Sequence, residues 1–290
     1  MDGNRICNLC DVPGTFEGAQ DVGRVRSNVR RFLHEQFTVW RCTNCGSLHS
    51  LEDIDYSEYY RDYPLQAQKL DFAARRFFSQ RLAELRTAGV QREDSILDYG
   101  CGNGGFVRFL RERGYAKAHG YDPYSSTFGD RKILADRFDV VASQDVIEHV
   151  PSPKDYLKEL RSMVRPGGLL AIGTPDAAAL RIDDPLDESG RLHQPFHRHL
   201  ITRDLLAQLM TQGGDTIVHE AERYYVDTWV PFLNSGFLFR YMHTTGGAID
   251  AGLEPIRLRV ILTTPTLLIQ GLLGRFLQKR QDLLFVVRAS

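Results

Sequence analysis

A glycine-rich segment at residues 95–105 is the feature that most restricts how this chain folds. The apolar run 96–99 is typical of a short buried strand, and glycines follow at positions 100, 102, 104 and 105. The apolar residues of 106–110 then recur at the spacing of a buried helix face. Glycines let the backbone approach a ligand closely, and the first N–H groups of a helix point toward an anionic or polar group. The segment therefore predicts a nucleotide-type cradle after the first strand of an α/β sheet.

The same glycines leave two ligands open. Gly100, Gly102 and Gly105 satisfy the G-x-G-x-x-G pattern of dinucleotide-binding domains, and Asp122 follows at about the distance expected for a ribose contact. S-adenosylmethionine (SAM) presents a similar ribose to a similar loop. The loop alone does not separate NAD binding from SAM binding, so the neighbouring residues must decide.

Composition and charge exclude some classes of protein. The 290 residues are enough to bury a real core, and 36 basic against 37 acidic residues give a net charge of −1. Proteins that bind nucleic acid by neutralising phosphates normally have a basic excess, so a nucleic-acid partner is not expected. Residues 1–5 lack the apolar core of a signal peptide, which favours the cytoplasm.

One apolar stretch, residues 260–274, needs a separate interpretation. It is shorter than the roughly 20 residues that span a bilayer, and it contains Pro265 and Gln270. We therefore expect no membrane span. A buried helix pair is the favoured interpretation, and contact with a membrane is the alternative.

The cysteines indicate a metal site. Cys7 and Cys10 form one C-x-x-C pair, Cys42 and Cys45 form a second, and Gly46 follows. Two such turns present four thiolates, the tetrahedral ligand set that Zn²⁺ prefers. A redox dithiol is the alternative, but it would need only one C-x-x-C, at the start of a helix. We expect a structural zinc ion without zinc chemistry, because no ligand position is left open.

Strand and helix patterns alternate from Ser95 onward, as in a doubly wound, mostly parallel α/β sheet. We expect strands at 96–99, 118–122, 137–143, 169–175, near 216–224 and at 283–287, with helices at 104–113, 153–163 and 202–210. The segment 123–137 is short, so one helix or edge strand is expected to be reduced there. Upstream, 67–85 has the apolar stripe of an amphipathic helix.

Five short motifs follow one another between residues 95 and 175. They are Asp98-Tyr-Gly-Cys-Gly-Asn-Gly104, Gly120-Tyr-Asp122, Phe138-Asp-Val-Val141, Asp145-Val-Ile-Glu-His-Val150 and Arg165-Pro-Gly-Gly168. In this order they resemble the class I SAM-dependent methyltransferases, most closely the branch that acts on small molecules. A nicotinamide dehydrogenase is not expected to carry the Glu-His-Val and Pro-Gly-Gly elements, so the resemblance favours SAM as the cofactor.

The resemblance implies a SAM site made by Asp98, Gly100, Cys101, Gly102, Asp122, Pro123, Gln144 and Asp145. Asp122 would accept hydrogen bonds from both ribose hydroxyls, since the two oxygens of a carboxylate match a vicinal diol. Asp98 and the backbone of Gly100–Gly102 would face the methionine part. Gln144 and Asp145 end a strand at the edge where α/β sheets bind ligands. Cys101 is expected to fit the turn as a small residue and not to act as a nucleophile.

The methyl acceptor sets the remaining requirements. Methyl transfer needs alignment and exclusion of water, and it needs a general base only when the acceptor loses a proton. The candidate bases are His149, His197 and His199, the last two in a segment where family members keep acceptor-binding loops. By spacing, His193, His197 and His199 are also candidates for a second metal site, although Pro195 interrupts any regular helix there.

These observations predict three regions. They are a zinc-ribbon lobe at 1–55, a helical bridge at 56–94, and a SAM-binding domain at 95–290 that contains a helical, aromatic insertion at about 226–280. We expect the insertion, with Trp229 and Phe232, to cap the acceptor pocket; a homodimer contact is its second interpretation.

The function predicted is methyl transfer from SAM to oxygen, nitrogen or carbon of a small, partly apolar metabolite of natural-product or secondary metabolism. Three alternatives stay open. The cysteine pattern also resembles that of sugar C-methyltransferases of antibiotic pathways. RNA methyltransferases with an N-terminal zinc site are the second, which the balanced charge disfavours. The third is a non-catalytic SAM-binding scaffold whose zinc lobe recruits a partner protein.

Overall fold

The computed structural model describes residues 4–61, 63, 64 and 69–290. Its strands are β1 (Val22–Arg26), β2 (Gln36–Arg41), β3 (Leu48–Ser50), β4 (Ile96–Tyr99), β5 (Ala118–Tyr121), β6 (Phe138–Gln144), β7 (Val164–Pro175), β8 (His199–Leu200), β9 (Thr216–Arg223) and β10 (Asp282–Arg288). Its helices are α1 (Tyr56–Tyr60), α2 (Phe72–Thr87), α3 (Gly105–Glu112), α4 (Pro153–Ser162), α5 (Pro185–Ser189), α6 (Arg203–Thr211), α7 (Ser235–Thr244), α8 (Leu258–Thr263) and α9 (Pro265–Leu277). Among these described residues, no helix combines the length and the apolar content that crossing a bilayer requires.

The chain folds into two compact units, each assembled from separate stretches of sequence. The first takes its described residues from Met1–Leu65, Pro175–Arg203 and Arg223–Asp282, and the second from Gln66–Thr174, Asp204–Glu222 and Leu283–Ser290. The predicted limits of the lobe, the bridge and the SAM-binding domain remain a proposal.

The second unit is built on a six-stranded sheet. Its strand order is β5-β4-β6-β7-β10-β9, and β4 pairs in parallel with both β5 and β6, as β6 does with β7. Because β4 lies beside β5 on one side and β6 on the other, the chain reverses its direction of winding there, which is where such sheets bind ligands. The predicted fold class, a doubly wound and mostly parallel α/β sheet, is confirmed.

Helices α2 and α3 supply the core of this unit. The ring of Phe78 in α2 packs in a tilted orientation against Phe106 and Phe109 of α3, at ring distances of 5.4 and 5.9 Å. Burying each such ring stabilises the fold by roughly 1.5–3 kcal/mol. Helix α2 begins at Phe72 because the side chain of Asp71 accepts a hydrogen bond from the N–H of Ala74, the pattern of an N-cap. The first residues of the predicted 67–85 helix, 67 and 68, lie outside the described residues.

One local prediction is confirmed by the structure, and another differs from it. Between Asp122 and β6 the described chain forms only a short 3₁₀ turn at Arg131–Ala135, so the expected reduction of one element is confirmed. β7 begins at Val164, five residues before the predicted start of this strand at 169, so the Pro-Gly-Gly motif lies within the strand. The N–H of Gly167 donates to the carbonyl oxygen of Ala289, and the N–H of Ala289 donates to Gly168, so the C-terminal residues hold the motif extended.

The first unit contains a four-stranded antiparallel sheet in the order β1-β2-β3-β8. β1 and β2 form an antiparallel hairpin between the two cysteine pairs. Val25 of β1 and Val39 of β2 point to the same face of the sheet, where they belong to a buried apolar cluster that also contains Leu48 and Leu192. The sheet therefore has one closed apolar face, and its loops at one end carry the cysteines.

The insertion before β10 is helical, as predicted. α7 packs against α9 around Phe237 and Tyr241, whose rings stack 5.7 Å apart. The apolar run from residue 260 forms α8 and α9, but it is not a fully buried helix pair. Ile261 and Leu267 are buried, whereas the other side of both helices is exposed.

Candidate active site and candidate metal centre

The end of β4 carries a buried ion pair. All four residues of this strand are buried, including Asp98, because parallel sheets are covered on both faces. Arg81 of α2 donates from Nη2 to Oδ1 of Asp98 at 2.8 Å, and its guanidinium lies 4.0 Å from the centre of the Phe106 ring. Burial raises the pKa of the Asp98 carboxyl, and the charge of Arg81 opposes that rise.

The glycine loop after β4 follows a backbone path that side chains would obstruct. Gly100, Gly102 and Gly104 have φ of +81°, +55° and +75°, in the left-handed region that favours glycine. A Cβ atom on Gly100 would also lie 2.2 Å from Val146 Cγ2. The N–H groups of Gly100 and Cys101 donate to the carbonyl oxygen of Tyr121, at 2.7 and 3.1 Å. The loop is therefore tied to the end of β5.

Asp122, the first residue after β5, connects the loop with the next turn. Its Oδ2 accepts from the N–H of Gly102 at 2.9 Å, and its Oδ1 accepts from the N–H of Tyr124 at 2.8 Å. Each carboxylate oxygen has a second lone pair that can still accept a hydrogen bond. Asp122 is half-buried and Pro123 next to it is exposed. The two predicted halves of the cofactor site, the loop and the acid after β5, are thus in direct contact.

Cys101 lies within this loop as a half-buried thiol. Its Sγ atom lies 2.7 Å from the position of a Cβ on Gly120, so glycine at 120 makes room for the sulfur. Burial, followed by the nearby charges of Asp98 and Asp122, raises the pKa of the Cys101 thiol. Because the thiolate is the nucleophilic form, this environment does not activate the residue.

Gln144 and Asp145 mark the end of β6 at the same edge of the sheet. Nε2 of Gln144 donates to Oδ1 of Asp145 at 2.9 Å, and the N–H of Asp145 donates to the carbonyl oxygen of Gly173 at 2.9 Å. Asp145 has φ of +55°, a conformation uncommon for residues other than glycine. A Cβ on Gly173 would overlap the Gln144 side chain, so the glycine makes room for this pair.

His149 follows in the turn after β6. It is partly exposed, and its N–H donates to the carbonyl oxygen of Val146 at 2.9 Å. The adjacent Glu148 is fully buried and accepts from the hydroxyl of Thr174 at 3.0 Å. Val146 in turn packs on Gly100, so the motif that contains His149 supports the glycine loop.

The predicted base His197 belongs to the first unit and is buried. Its Nδ1 lies 2.9 Å from the carbonyl oxygen of Arg191. A carbonyl oxygen only accepts, so Nδ1 carries the proton and Nε2 has the lone pair when the ring is neutral. This is the tautomer in which an imidazole can take a proton at Nε2.

His199 and His193 occupy different surroundings. His199 lies in β8 and pairs with His49 of β3, so it is a buried strand residue and not part of a loop. The ring nitrogens of His193 contact Asn28 Oδ1 at 2.6 Å and the Tyr63 hydroxyl at 2.8 Å. Those contacts occupy both ring nitrogens of His193. The alternative of a second metal site made by His193, His197 and His199 therefore gains no support from the structure.

The four N-terminal cysteines come together in the first unit. The Sγ atom of Cys7 lies 3.7 Å from that of Cys45 and 3.6 Å from that of Cys10, and Cys10 lies 3.9 Å from Cys42. Zinc–sulfur bonds of about 2.3 Å in a tetrahedron place sulfurs roughly 3.8 Å apart. The spacing is much longer than a disulfide bond, and the four thiols are free. The donor set and its geometry both fit a closed Cys₄ zinc site.

The backbone around the cysteines explains two nearby glycines. Gly46 has φ of +72° and donates its N–H to the carbonyl oxygen of Cys42 at 2.9 Å, which closes the second knuckle. A Cβ atom on Gly14 would lie 2.8 Å from Sγ of Cys42, so the glycine leaves room for this sulfur. The hydroxyl of Thr202 donates to the carbonyl oxygen of Cys45 at 3.0 Å. The knuckles are thus held by the chain around them.

Sequence reasoning missed Arg81 as a residue of the site. The signal was present, because Arg81 falls three and four residues after Phe78 and Phe77, on the apolar stripe of α2. A cation at such a position needs a buried partner, and Asp98 provides it.

Comparison with known proteins agrees with this geometry. A family model described as a methyltransferase domain matches residues 67–220, more than half of the chain. The chain is 30% identical over 135 residues to a ubiquinone biosynthesis O-methyltransferase of Bradyrhizobium diazoefficiens, covering 40% of this chain and 52% of the relative. A namesake from Dinoroseobacter shibae is 25% identical over 172 residues, covering 50% of this chain and 69% of the relative. The match therefore spans about half the length of the first of these relatives.

Solved structures with a similar fold include a SAM-dependent methyltransferase from Mesorhizobium loti. It has a TM-score of 0.44 and 17% identity, and the alignment covers 76% of this chain and 100% of that one. The N-methyltransferase NodS from Bradyrhizobium japonicum, solved with S-adenosyl-L-homocysteine, has a TM-score of 0.42 and 13% identity, with 81% and 95% of the two chains covered.

Proposed function

This chain belongs to the class I SAM-dependent methyltransferases, and we propose that it methylates an oxygen, nitrogen or carbon atom of a small, partly apolar metabolite. The observation that carries the proposal is the hydrogen bond from the Gly102 N–H to Asp122 Oδ2, at 2.9 Å. It joins the glycine loop to the acid after β5, the two elements that would hold the adenosyl group.

The cofactor supplies an electrophilic methyl group on a sulfonium, so no residue of this chain has to act as a nucleophile. Asp122 would bind the ribose hydroxyls through the lone pairs that its two backbone partners leave available. The loop from Gly100 to Gly102 would lie along the methionine part, with the buried charges of Asp98 and Arg81 behind it. Gln144, Asp145 and Pro123 complete the proposed binding residues. These groups bind and orient the cofactor, which is the main requirement of an in-line displacement.

For an acceptor that loses a proton, we propose His197 as the base, with His149 and His199 as the other candidates. The support is the hydrogen bond from Nδ1 to the carbonyl oxygen of Arg191, which keeps the proton of the neutral ring on Nδ1. His197→Gln should lower kcat most at neutral and alkaline pH, and least in acid, where the imidazole of the unsubstituted chain is already protonated and cannot act as a base. A uniform loss at every pH would indicate a structural role instead. The relatives named as O-methyltransferases favour an oxygen acceptor.

Titration calorimetry tests the cofactor. SAM and S-adenosyl-L-homocysteine should both bind and NAD should give no heat; tight NAD binding without SAM binding would contradict the proposal. The acceptor is then sought by incubating the protein with methyl-labelled SAM and a cell extract. A labelled small molecule that has gained one methyl mass supports the proposed class. Label in the RNA fraction would support an RNA methyltransferase. Label in a nucleotide sugar would support a sugar C-methyltransferase. Binding of SAM without any methyl transfer would support a non-catalytic scaffold.

We further propose that Cys7, Cys10, Cys42 and Cys45 hold one structural Zn²⁺. Four thiolates close the coordination sphere, so the ion would stabilise the fold and leave no position for a substrate. The support is the sulfur spacing, which matches a tetrahedral site.

A further inference from the structure

Helix α9 is apolar on both of its sides. Leu267, Gly271 and Gly274, spaced four and three residues apart, form its buried side. The opposite side carries residues that are between 50% and 71% exposed: Ile269, Leu272, Leu273, Phe276 and Leu277. An ordinary surface helix has polar residues on its outer side. We call these five residues, together with Trp229, the apolar face.

The buried side of α9 fixes the direction in which the apolar face points. The N–H of Phe232 donates to the carbonyl oxygen of Gly271 at 2.7 Å, and the Phe232 ring occupies the space that a Cβ on Gly271 would need. Nδ2 of Asn234 donates to the carbonyl oxygen of Gln270 at 3.0 Å. The helix is therefore held by hydrogen bonds and close packing along one side. Rotation of the exposed leucines inward would break these contacts.

Exposed apolar side chains also occur beside α9 and on α8. The ring of Trp229, itself 71% exposed, lies 6.0 Å from the ring of Phe276. On the preceding helix α8, Leu258 and Leu262 are four residues apart and exposed on one side. Single exposed leucines are normal on protein surfaces, but a cluster of this size marks an interaction site. Tryptophan is typical of the boundary between an apolar layer and water.

The charges within residues 255–281 have one sign, and Glu254, just before this stretch, pairs with Arg257. Residues 255–281 contain five arginines and lysines and no aspartate or glutamate, in a chain whose net charge is −1. Arg275 lies over the Trp229 ring at 3.9 Å and also pairs with Asp227, which lies outside this stretch. Lys279 and Arg280, directly after α9, are exposed. The surface therefore combines leucine and aromatic side chains with a basic border.

We propose that α8 and α9 dock this protein on an anionic lipid surface, with the apolar face among the acyl chains and the cations at the headgroups. Helix α9 has 13 residues, or about 20 Å, which is too short to cross the hydrocarbon layer and suits a helix lying in its plane. A second copy of the chain is the competing occupant. In a symmetric dimer the same cations would meet across the interface, whereas anionic headgroups neutralise them.

The experiment is co-sedimentation of the full chain with vesicles, without SAM or acceptor, so its outcome is independent of the proposed activity. The vesicles contain either phosphatidylcholine alone or equal parts of phosphatidylcholine and phosphatidylglycerol. We expect binding to the mixed vesicles that weakens as salt is added. Phe276→Glu and Leu272→Glu should each reduce the partition coefficient at least about tenfold, since burying a large apolar side chain is worth more than that factor.

Phe72→Glu is the matched control, because Phe72 is 63% exposed at the start of α2 in the other unit. It should bind vesicles like the original chain, and equal thermal unfolding temperatures would show that all variants fold. Lys279→Gln and Arg280→Gln should each weaken binding to the anionic vesicles by about fivefold. No binding to either vesicle, or binding that Phe276→Glu leaves intact, would overturn the proposal. So would a dimer seen by sedimentation that Phe276→Glu dissociates, since the second copy would then cover the face.

Discussion

The guanidinium of Arg81 lies 2.8 Å from the carboxylate of Asp98, and both side chains are buried in the second unit. Their ion pair joins α2 to β4 directly beneath the glycine loop. The Phe106 ring covers the guanidinium from the side, so water has little access to either charge. A buried ion pair adds little net stability, but removing one partner leaves the other charge without compensation.

Arg81→Leu should therefore lower the free energy of unfolding by about 3–5 kcal/mol. Arg75→Leu on the same helix is the control, because Arg75 pairs with Glu112 at the surface, where such pairs contribute about 0–1 kcal/mol. Urea unfolding followed by circular dichroism measures both. Equal losses of unfolding free energy in the two variants would show that the buried ion pair contributes no more to stability than the surface pair does. The double variant Arg81→Leu, Asp98→Asn should recover part of the loss, since the uncompensated charge is gone.

Sequence patterns were sufficient to predict those helices and strands whose limits are set by residues close to them in the chain. β4 was predicted at Ile96–Tyr99 and begins and ends there, and α6 was predicted within one residue at each end. Both have a strong apolar period and clear ends. The contact between Gly102 and Asp122 also follows from the order of β4 and β5, because neighbouring parallel strands end at one edge.

The features that the sequence did not predict depend on partners far along the chain. The Pro-Gly-Gly motif lies in β7 because Ala289, more than 120 residues later, bonds to it. His199 forms a strand only because β3 pairs with it from the N-terminal region. The exposure of α9 was missed for another reason: an unbroken apolar run does not show which of its sides meets the core.

Asp122→Asn should weaken the binding of SAM by roughly ten- to a hundredfold, because the amide keeps one acceptor oxygen and turns its NH₂ toward a backbone N–H or the ribose. Asp130→Asn is the matched control. Both residues accept from the N–H two positions later, Asp122 from Tyr124 and Asp130 from Lys132. Titration calorimetry with SAM measures the change. If the two substitutions weakened binding alike, the loss would come from the turn and not from a ribose contact.

One zinc ion per chain should be found by elemental analysis of the purified protein. Cys45→Ser should reduce this content to near zero and lower the unfolding temperature, since structural zinc supplies folding free energy. Cys101→Ser should leave the zinc content unchanged, because Cys101 belongs to the glycine loop of the other unit. Full zinc content in Cys45→Ser, or none in the unsubstituted chain, would contradict the assignment of the site.

His49 should make the stability of the first unit depend on pH. Its ring stacks on Trp40 at 4.7 Å, and burial lowers its pKa from 6.5 to about 4. The unfolded chain then binds a proton that the folded chain does not, so the free energy of unfolding falls as the pH drops from about 6.5 toward 4. A shift of this size corresponds to roughly 3 kcal/mol over the whole window.

His49→Phe keeps an aromatic ring against Trp40 and removes the titration. Unfolding measured near neutral pH and at about pH 5 should therefore show a smaller loss of stability in the variant than in the unsubstituted chain. Release of zinc from protonated thiols also lowers stability in acid. That effect is common to both proteins and cancels in their difference. Parallel pH profiles would mean that the fold accommodates the charged imidazole, so burial would not control the titration of His49.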